Sequence, residues 1–251
     1  MKNCLKIQLR RALAPKLLFI VLLIVIVEIM GNSIDIRNGA FGMVVNGTGM
    51  GYLTALILPA VVFSDSLASE WENQAVKYWV IRSGIRKYAL SKMTAAGAAG
   101  FACLFLAFGI MILIGGLFGP WYTAGLGGSV PYAKLLEQGQ IFQGYLMILL
   151  DKGLSGAVTA VLGMAASTYI TNSFCAVSAP LVIVLTASRL AEFFHIPYAW
   201  EPVSFFLSLH PQEPVPAPVV TLLIKAGISL MLLLILTVIA VHQMERRIED
   251  V

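Results

Sequence analysis

Long apolar runs separated by short polar segments constrain this chain more than any other feature. An α-helix needs roughly 20 apolar residues to cross the hydrocarbon core, where the backbone must satisfy its own hydrogen bonds. Six stretches of the 251 residues qualify, at about 16–34, 49–68, 93–118, 145–170, 174–194 and 219–242. The sequence therefore predicts an all-α polytopic membrane protein with six transmembrane helices, forming a single transmembrane domain over residues 1–251.

The composition leaves no room for a soluble catalytic domain. Hydrophobic residues make up 59% of the chain and charged residues 12%, whereas soluble domains are about one quarter charged. The sequence contains no HExxH, GxSxG or GxxxxGK[ST] motif, so metalloprotease, hydrolase and phosphate-loop chemistry are not indicated. We therefore expect a non-enzyme with no metal and no cofactor of its own.

The basic residues predict the orientation. Most of the 17 lysines and arginines cluster before the first span, between the second and third spans, and at Arg246 and Arg247. Cytoplasmic loops carry such an excess, so both termini should be cytoplasmic in a multi-pass protein of a bacterial cell membrane. The same distribution explains the net charge of +4 without a nucleic-acid partner.

The N-terminal segment predicts an amphipathic "elbow" helix at 2–14. Its bases fall on one stripe, at Lys2, Lys6 and Arg10, and its apolar residues fall on another. Such a helix lies in the membrane surface, and Pro15 then permits a turn into the first span. The alternative is a charged flank that only stops translocation.

A compact polar segment follows the second span and predicts a cytosolic helix at about 70–82. Ser69 and Glu72 have the spacing of a capping box, and Gly84 is a plausible stop because glycine accepts the left-handed conformation. Trp71 and Tyr78 fall on one face. The helix is either a docking surface for a cytosolic partner or an ordinary interfacial helix with aromatic anchors.

In these features the chain resembles the permease subunits of type-2 ABC exporters. That family has a basic elbow helix, six spans, and a coupling helix between spans two and three. Its loop order of glutamate, arginine, aromatic, serine and lysine is matched by Glu72, Arg86, Tyr88, Ser91 and Lys92. The chain departs from the family at Gln74-Ala75, where Gly-Thr is common, and at Gly84, where proline is common.

The resemblance implies a separate cytosolic ABC ATPase in two copies, which binds ATP and Mg²⁺, together with a second permease copy or a paralogue. The tight turn at 171–173 matches the family's second ATPase contact. The implied ATPase-coupling residues are Glu70, Trp71, Glu72, Tyr78, Arg82, Arg86, Thr171 and Asn172.

Ionisable residues inside apolar spans are costly and are often functional. Glu28, Asp151, Arg189 and Lys225 are the candidate cargo path, a polar vestibule for a hydrophobic or amphipathic cargo such as a peptide, a lipid-linked molecule or a drug. In a structural alternative, Arg189 pairs with Glu192, and Lys152 and Lys225 extend their side chains to the outer surface.

Two further classes stay open. A stand-alone membrane immunity or sensor protein would act by binding, without an ATPase. An intramembrane enzyme would need a catalytic pair among the buried acids, and the sequence offers none.

Overall fold

The computed structural model describes residues 2–12, 15–31, 39–46, 51–73, 75–123, 132–170, 172–196, 205 and 217–249. This part of the chain is helical and contains no strand. Its helices are α1 (Lys2–Ala12), α2 (Pro15–Gly31), α3 (Gly39–Asn46), α4 (Gly51–Phe63), α5 (Asp65–Glu72), α6 (Ala75–Ser83), α7 (Ile85–Phe118), α8 (Ala133–Glu137), α9 (Ile141–Ser167), α10 (Ser173–Phe193) and α11 (Pro218–Glu249).

Five helical segments are long and apolar enough to cross a membrane, as counted over the described residues. They are Leu5–Met30, Ile85–Phe118, Ile141–Ser167, Ser173–Phe193 and Pro218–Ile248. The prediction of an all-α, multi-pass membrane protein is confirmed at this level.

Within the second predicted span, 49–68, Ser64 divides the helical residues into α4 and α5. α4 has 13 residues, about 20 Å at a rise of about 1.5 Å per residue, which is shorter than a hydrocarbon core of about 30 Å. α5 follows directly after Ser64, whose backbone is itself helical (φ −66°, ψ −28°) and whose N–H donates to the Ala60 carbonyl over 2.9 Å. α3 lies beside the far end of α7, where Ala40 N–H donates to the Pro120 carbonyl over 3.0 Å. A sixth crossing built from these shorter helices therefore remains a proposal.

α7 and α9 form the centre of the bundle, and small residues let them approach closely. A Cβ added at Gly100 would lie 2.2 Å from the Gly156 carbonyl oxygen, and one at Gly156 would lie 2.3 Å from the Gly100 oxygen. Membrane helices associate through such small residues because burial from lipid supplies little driving force. The two glycines therefore set the distance between α7 and α9. α4 and α11 pack against this pair of helices.

α1 has the two-sided character that its sequence predicts. Lys6 and Arg10 are exposed, whereas Gln8 and Ala12 are buried, and the helix packs against α7. Residues 13 and 14 of the predicted elbow lie outside the described part of the chain. Its position in the membrane surface stays a prediction.

The described ends of α1 and α11 lie at one end of the bundle. Arg11 of α1 contacts Glu70 of α5, and Glu245 near the end of α11 contacts Arg86 at the start of α7. We call this end the terminal face, and the opposite end, with Pro120 and α8, the distal face.

Candidate functional site

The polar segment on the terminal face forms two short helices, so the predicted single helix at 70–82 is wrong. α5 ends at Glu72, and the next residue, Asn73, donates from both its backbone N–H and its side-chain amide to the Ser69 carbonyl, over 3.0 and 2.9 Å. Asparagine favours such local bonds at turns. Ser69 lies inside α5, so the predicted capping box with Glu72 is also wrong.

The predicted stop at Gly84 is present. Its φ is +79°, a conformation that glycine adopts without strain, and its N–H donates to the Val80 carbonyl over 2.8 Å. α7 begins directly after it, eight residues before the predicted third span. The bases Arg86, Lys87 and Lys92 therefore lie on α7 rather than in a loop.

Glu70 is the centre of a partly buried polar cluster that joins α1, α5 and α7. Its side chain is 12% exposed and contacts Lys92 Nζ at 2.9 Å and Arg11 at 3.0 Å. Tyr88 Oη also donates to this carboxylate, and Lys92 donates to Ser66 Oγ over 3.0 Å. Glu70 is therefore held within the chain by three other side chains, and its predicted part in coupling to an ATPase stays a prediction.

The cluster satisfies a charge that the fold buries completely. Lys92 is fully buried, and such an ammonium is costly unless an opposite charge and hydrogen bonds accompany it. The phenylalanine ring of Phe63 adds a cation–π contact, 5.1 Å from Nζ to the ring centroid. Sequence reasoning missed this pairing, although a lysine entering the apolar run after residue 88 itself signals a buried acid nearby.

The coupling residues predicted on α5 and α6 divide into interior and exposed groups. Trp71 is half-buried and packs against the core. Glu72 and Arg82 are exposed, and Tyr78 is 77% exposed. Only part of the predicted surface is therefore available to a partner.

The turn between α9 and α10 also lies on the terminal face. Asn172 caps α10, and its Oδ1 accepts hydrogen bonds from the N–H groups of Phe174 and Cys175 over 2.9 and 3.3 Å, as expected of an N-cap asparagine. Phe174 is 79% exposed beside it. Thr171, the other residue predicted here, lies outside the described residues.

The end of α11 links this turn to α5. Arg247 donates to the Thr168 carbonyl over 2.9 Å, and its guanidinium lies 4.5 Å from the centroid of the Trp71 ring. Arg86 contacts Glu245 at 2.6 Å. Of the predicted coupling residues, Arg86 is thus paired within the chain.

A second polar cluster lies within the bundle, toward the distal face. Asp151 contacts Lys225 Nζ at 2.9 Å, with 1% and 7% of the two side chains exposed. Tyr132 donates to Asp151 Oδ1 over 3.1 Å; burial and then the Asp151 carboxylate raise the pKa of Tyr132, so it is a neutral donor. Lys152 lies within electrostatic reach of Asp151, Lys225 and Glu28.

Three of the four predicted cargo-path residues thus belong to one cluster. Glu28, Asp151, Lys152 and Lys225 are all buried, and their formal charges cancel. The two lysines do not extend to the surface. Arg189 lies apart on α10, 81% exposed and paired with Glu192 at 2.8 Å, as the structural alternative predicted.

Comparisons with known proteins add no family assignment. No protein-family model matches the chain, and neither a curated protein nor a solved structure matches it. Among the described residues, no three His, Cys, Asp or Glu side chains are grouped so as to hold a metal ion.

Proposed function

We propose that this chain is the membrane-spanning permease subunit of an ATP-driven ABC exporter. It works with two copies of a separate cytosolic ATPase, which binds ATP and Mg²⁺, and with a second permease copy or a paralogue. It moves a hydrophobic or amphipathic cargo out of the cytoplasm and hydrolyses nothing itself. The resemblance in sequence is the origin of this proposal.

One structural observation supports it most. The two segments expected to contact an ATPase, 70–82 and 171–173, are far apart in sequence, yet Arg247 contacts α5 through Trp71 and the end of α9 through Thr168. Two separate loops of the terminal face are therefore neighbours. This is what one partner would need in order to engage both.

The exposed side chains on this face suit a protein partner. Tyr78 and Ile81 on α6 are 77% and 85% exposed, and Phe174 on α10 is 79% exposed. Aromatic residues dominate the energetics of protein interfaces. The nearby bases Arg82 and Lys87 are exposed as well, which fits the cytoplasmic side of a membrane.

The test compares two exposed aromatic residues at opposite ends of the molecule. Tyr78→Ala removes a side chain from the proposed docking surface, and Phe142→Ala removes one of equal exposure (78%) from the distal face. We expect Tyr78→Ala to weaken binding of the ATPase about 30-fold, which corresponds to roughly 2 kcal/mol for a central aromatic residue. Phe142→Ala should leave binding unchanged.

The tagged chain is purified from membranes of its own host, and the recovered P-loop ATPase is identified by mass spectrometry and titrated against each variant. Equal binding by both variants would place the ATPase elsewhere. If the unaltered chain recovers no such ATPase, a stand-alone immunity or sensor protein becomes the better interpretation.

A further inference from the structure

α11 is longer than a membrane crossing requires, and its surplus turns form part of the terminal face. The helix has 32 residues, about 48 Å at a rise of about 1.5 Å per residue, against a hydrocarbon core of about 30 Å. Its last turns carry Glu245 and Arg247, neither of which the sequence patterns placed at the proposed docking surface. Both make contacts with other helices.

Arg247 occupies a position where a cation is stabilised from two sides. The last carbonyls of an α-helix have no partner within the helix and carry partial negative charge. Arg247 donates to one of them, the Thr168 carbonyl at the C-terminal end of α9. Trp71, the other contact, lies one residue before the end of α5, so the guanidinium is near two helix C-termini and over an indole ring.

A second contact holds the same helix end to α7. Glu245 accepts from Arg86 Nε over 2.6 Å, and Met244 is buried in the main core cluster. The end of α11 is thus held against α5, α7 and α9 at once. Because the end of α11 is itself held in place, Arg247 can fix the distance between α5 and the end of α9.

We propose that Arg247 is a positioning residue, and that the end of α11 clamps α5 to the α9–α10 turn so that the two segments move as one surface. The clamp itself follows from the contacts. Its consequence, that movement of a partner on α6 also reaches α9 and α10, rests on the proposed function.

The clamp is tested by the distance between spin labels on its two sides. One label is placed at Glu72→Cys and the other at the native Cys175, both exposed, in a chain that also carries Cys4→Ser and Cys103→Ser. Pulsed electron resonance then compares Arg247→Ala with Arg246→Ala. Arg246 is the neighbouring base and is exposed, so it is a matched control for the loss of charge.

We expect Arg247→Ala to broaden the distance distribution and add longer distances, while Arg246→Ala leaves it as in the unaltered chain. Arg247→Lys keeps the charge but lacks the planar guanidinium, which stacks on Trp71 and donates to Thr168 at the same time. Its distance distribution should therefore be intermediate. A thermal unfolding midpoint near that of the unaltered chain shows that Arg247→Ala is folded; Arg247→Gln replaces it if not. Identical distributions for Arg247→Ala and Arg246→Ala would overturn the proposal.

The same variants separate this proposal from the function. If Arg247→Ala broadens the distribution but the unaltered chain binds no P-loop ATPase, the clamp stands and the exporter function fails. If the ATPase binds and the distribution does not change, the function stands and Arg247 is not a clamp.

Discussion

At the scale of single residues, two neighbouring acids of α5 separate an interior role from a surface role. Glu70→Ala leaves Lys92 buried without its carboxylate, and removing one partner of a buried pair costs about 3–5 kcal/mol. Glu72→Ala removes an exposed carboxylate and should leave stability close to that of the unaltered chain. Thermal unfolding in detergent, followed by size exclusion, measures both. Equal midpoints for the two variants would show that Glu70 does not hold α5 to α7.

The same pair shows what residue patterns predict and what they leave open. The sequence predicted a polar helical segment here and a stop at Gly84, and the stop is confirmed because a glycine stop depends on local chemistry. The spacing of Ser69 and Glu72 predicted a capping box, which gave the structural role to Glu72 and not to Glu70. The partners of Glu70 are Arg11, Tyr88 and Lys92, which only the packing of three helices brings together.

At the scale of helices, the contact between α7 and α9 depends on the absence of a side chain. Gly100→Ala would place a Cβ 2.2 Å from the Gly156 carbonyl oxygen, and forcing extra atoms into a packed contact costs about 1–3 kcal/mol. Gly109→Ala on the same helix meets only a leucine methyl at 3.9 Å. It should be neutral or stabilising, because alanine is the better helix former by about 1 kcal/mol in water. The unfolding midpoint of Gly100→Ala should therefore lie below that of Gly109→Ala, and a Gly100→Ala midpoint at or above it would contradict close packing at this contact.

Element positions follow from hydropathy where one apolar run makes one helix. α9, α10 and α11 begin within a few residues of their predicted starts. The second span differs, because α4 ends at Phe63 and α5 continues to Glu72, beyond the predicted end of the span. Hydropathy measures whether a segment prefers lipid, not whether its backbone stays in one helix. Asn73, the residue that follows α5, bonds back to Ser69 through its side chain, and asparagine favours such turns, a local preference that no hydropathy profile contains.

At the scale of the whole molecule, the charges inside the bundle balance one another. The apolar spans predicted that Glu28, Asp151 and Lys225 need partners, since an uncompensated charge there is costly. They did not predict which helices supply them, because α9 and α11 are distant in sequence and meet only in the fold. The observed cluster has two acids and two amines. This balance of charge favours a structural role, in which the cluster holds the helices of the bundle together.

This balance makes a prediction about the candidate cargo path. Lys225→Met removes the ammonium that contacts Asp151 and gives the cluster a net negative charge, which should cost about 3–5 kcal/mol of stability. Asp151→Asn combined with Lys225→Met restores neutrality and keeps an acceptor for Tyr132, so its thermal unfolding midpoint should return toward that of the unaltered chain. Arg189→Met is the control, since Arg189 is exposed and paired only with Glu192 among the described residues; its midpoint should barely move. If Lys225→Met is as stable as the double variant, the Asp151–Lys225 pair does not stabilise the fold. Lys225 is then better explained as a residue of the cargo path.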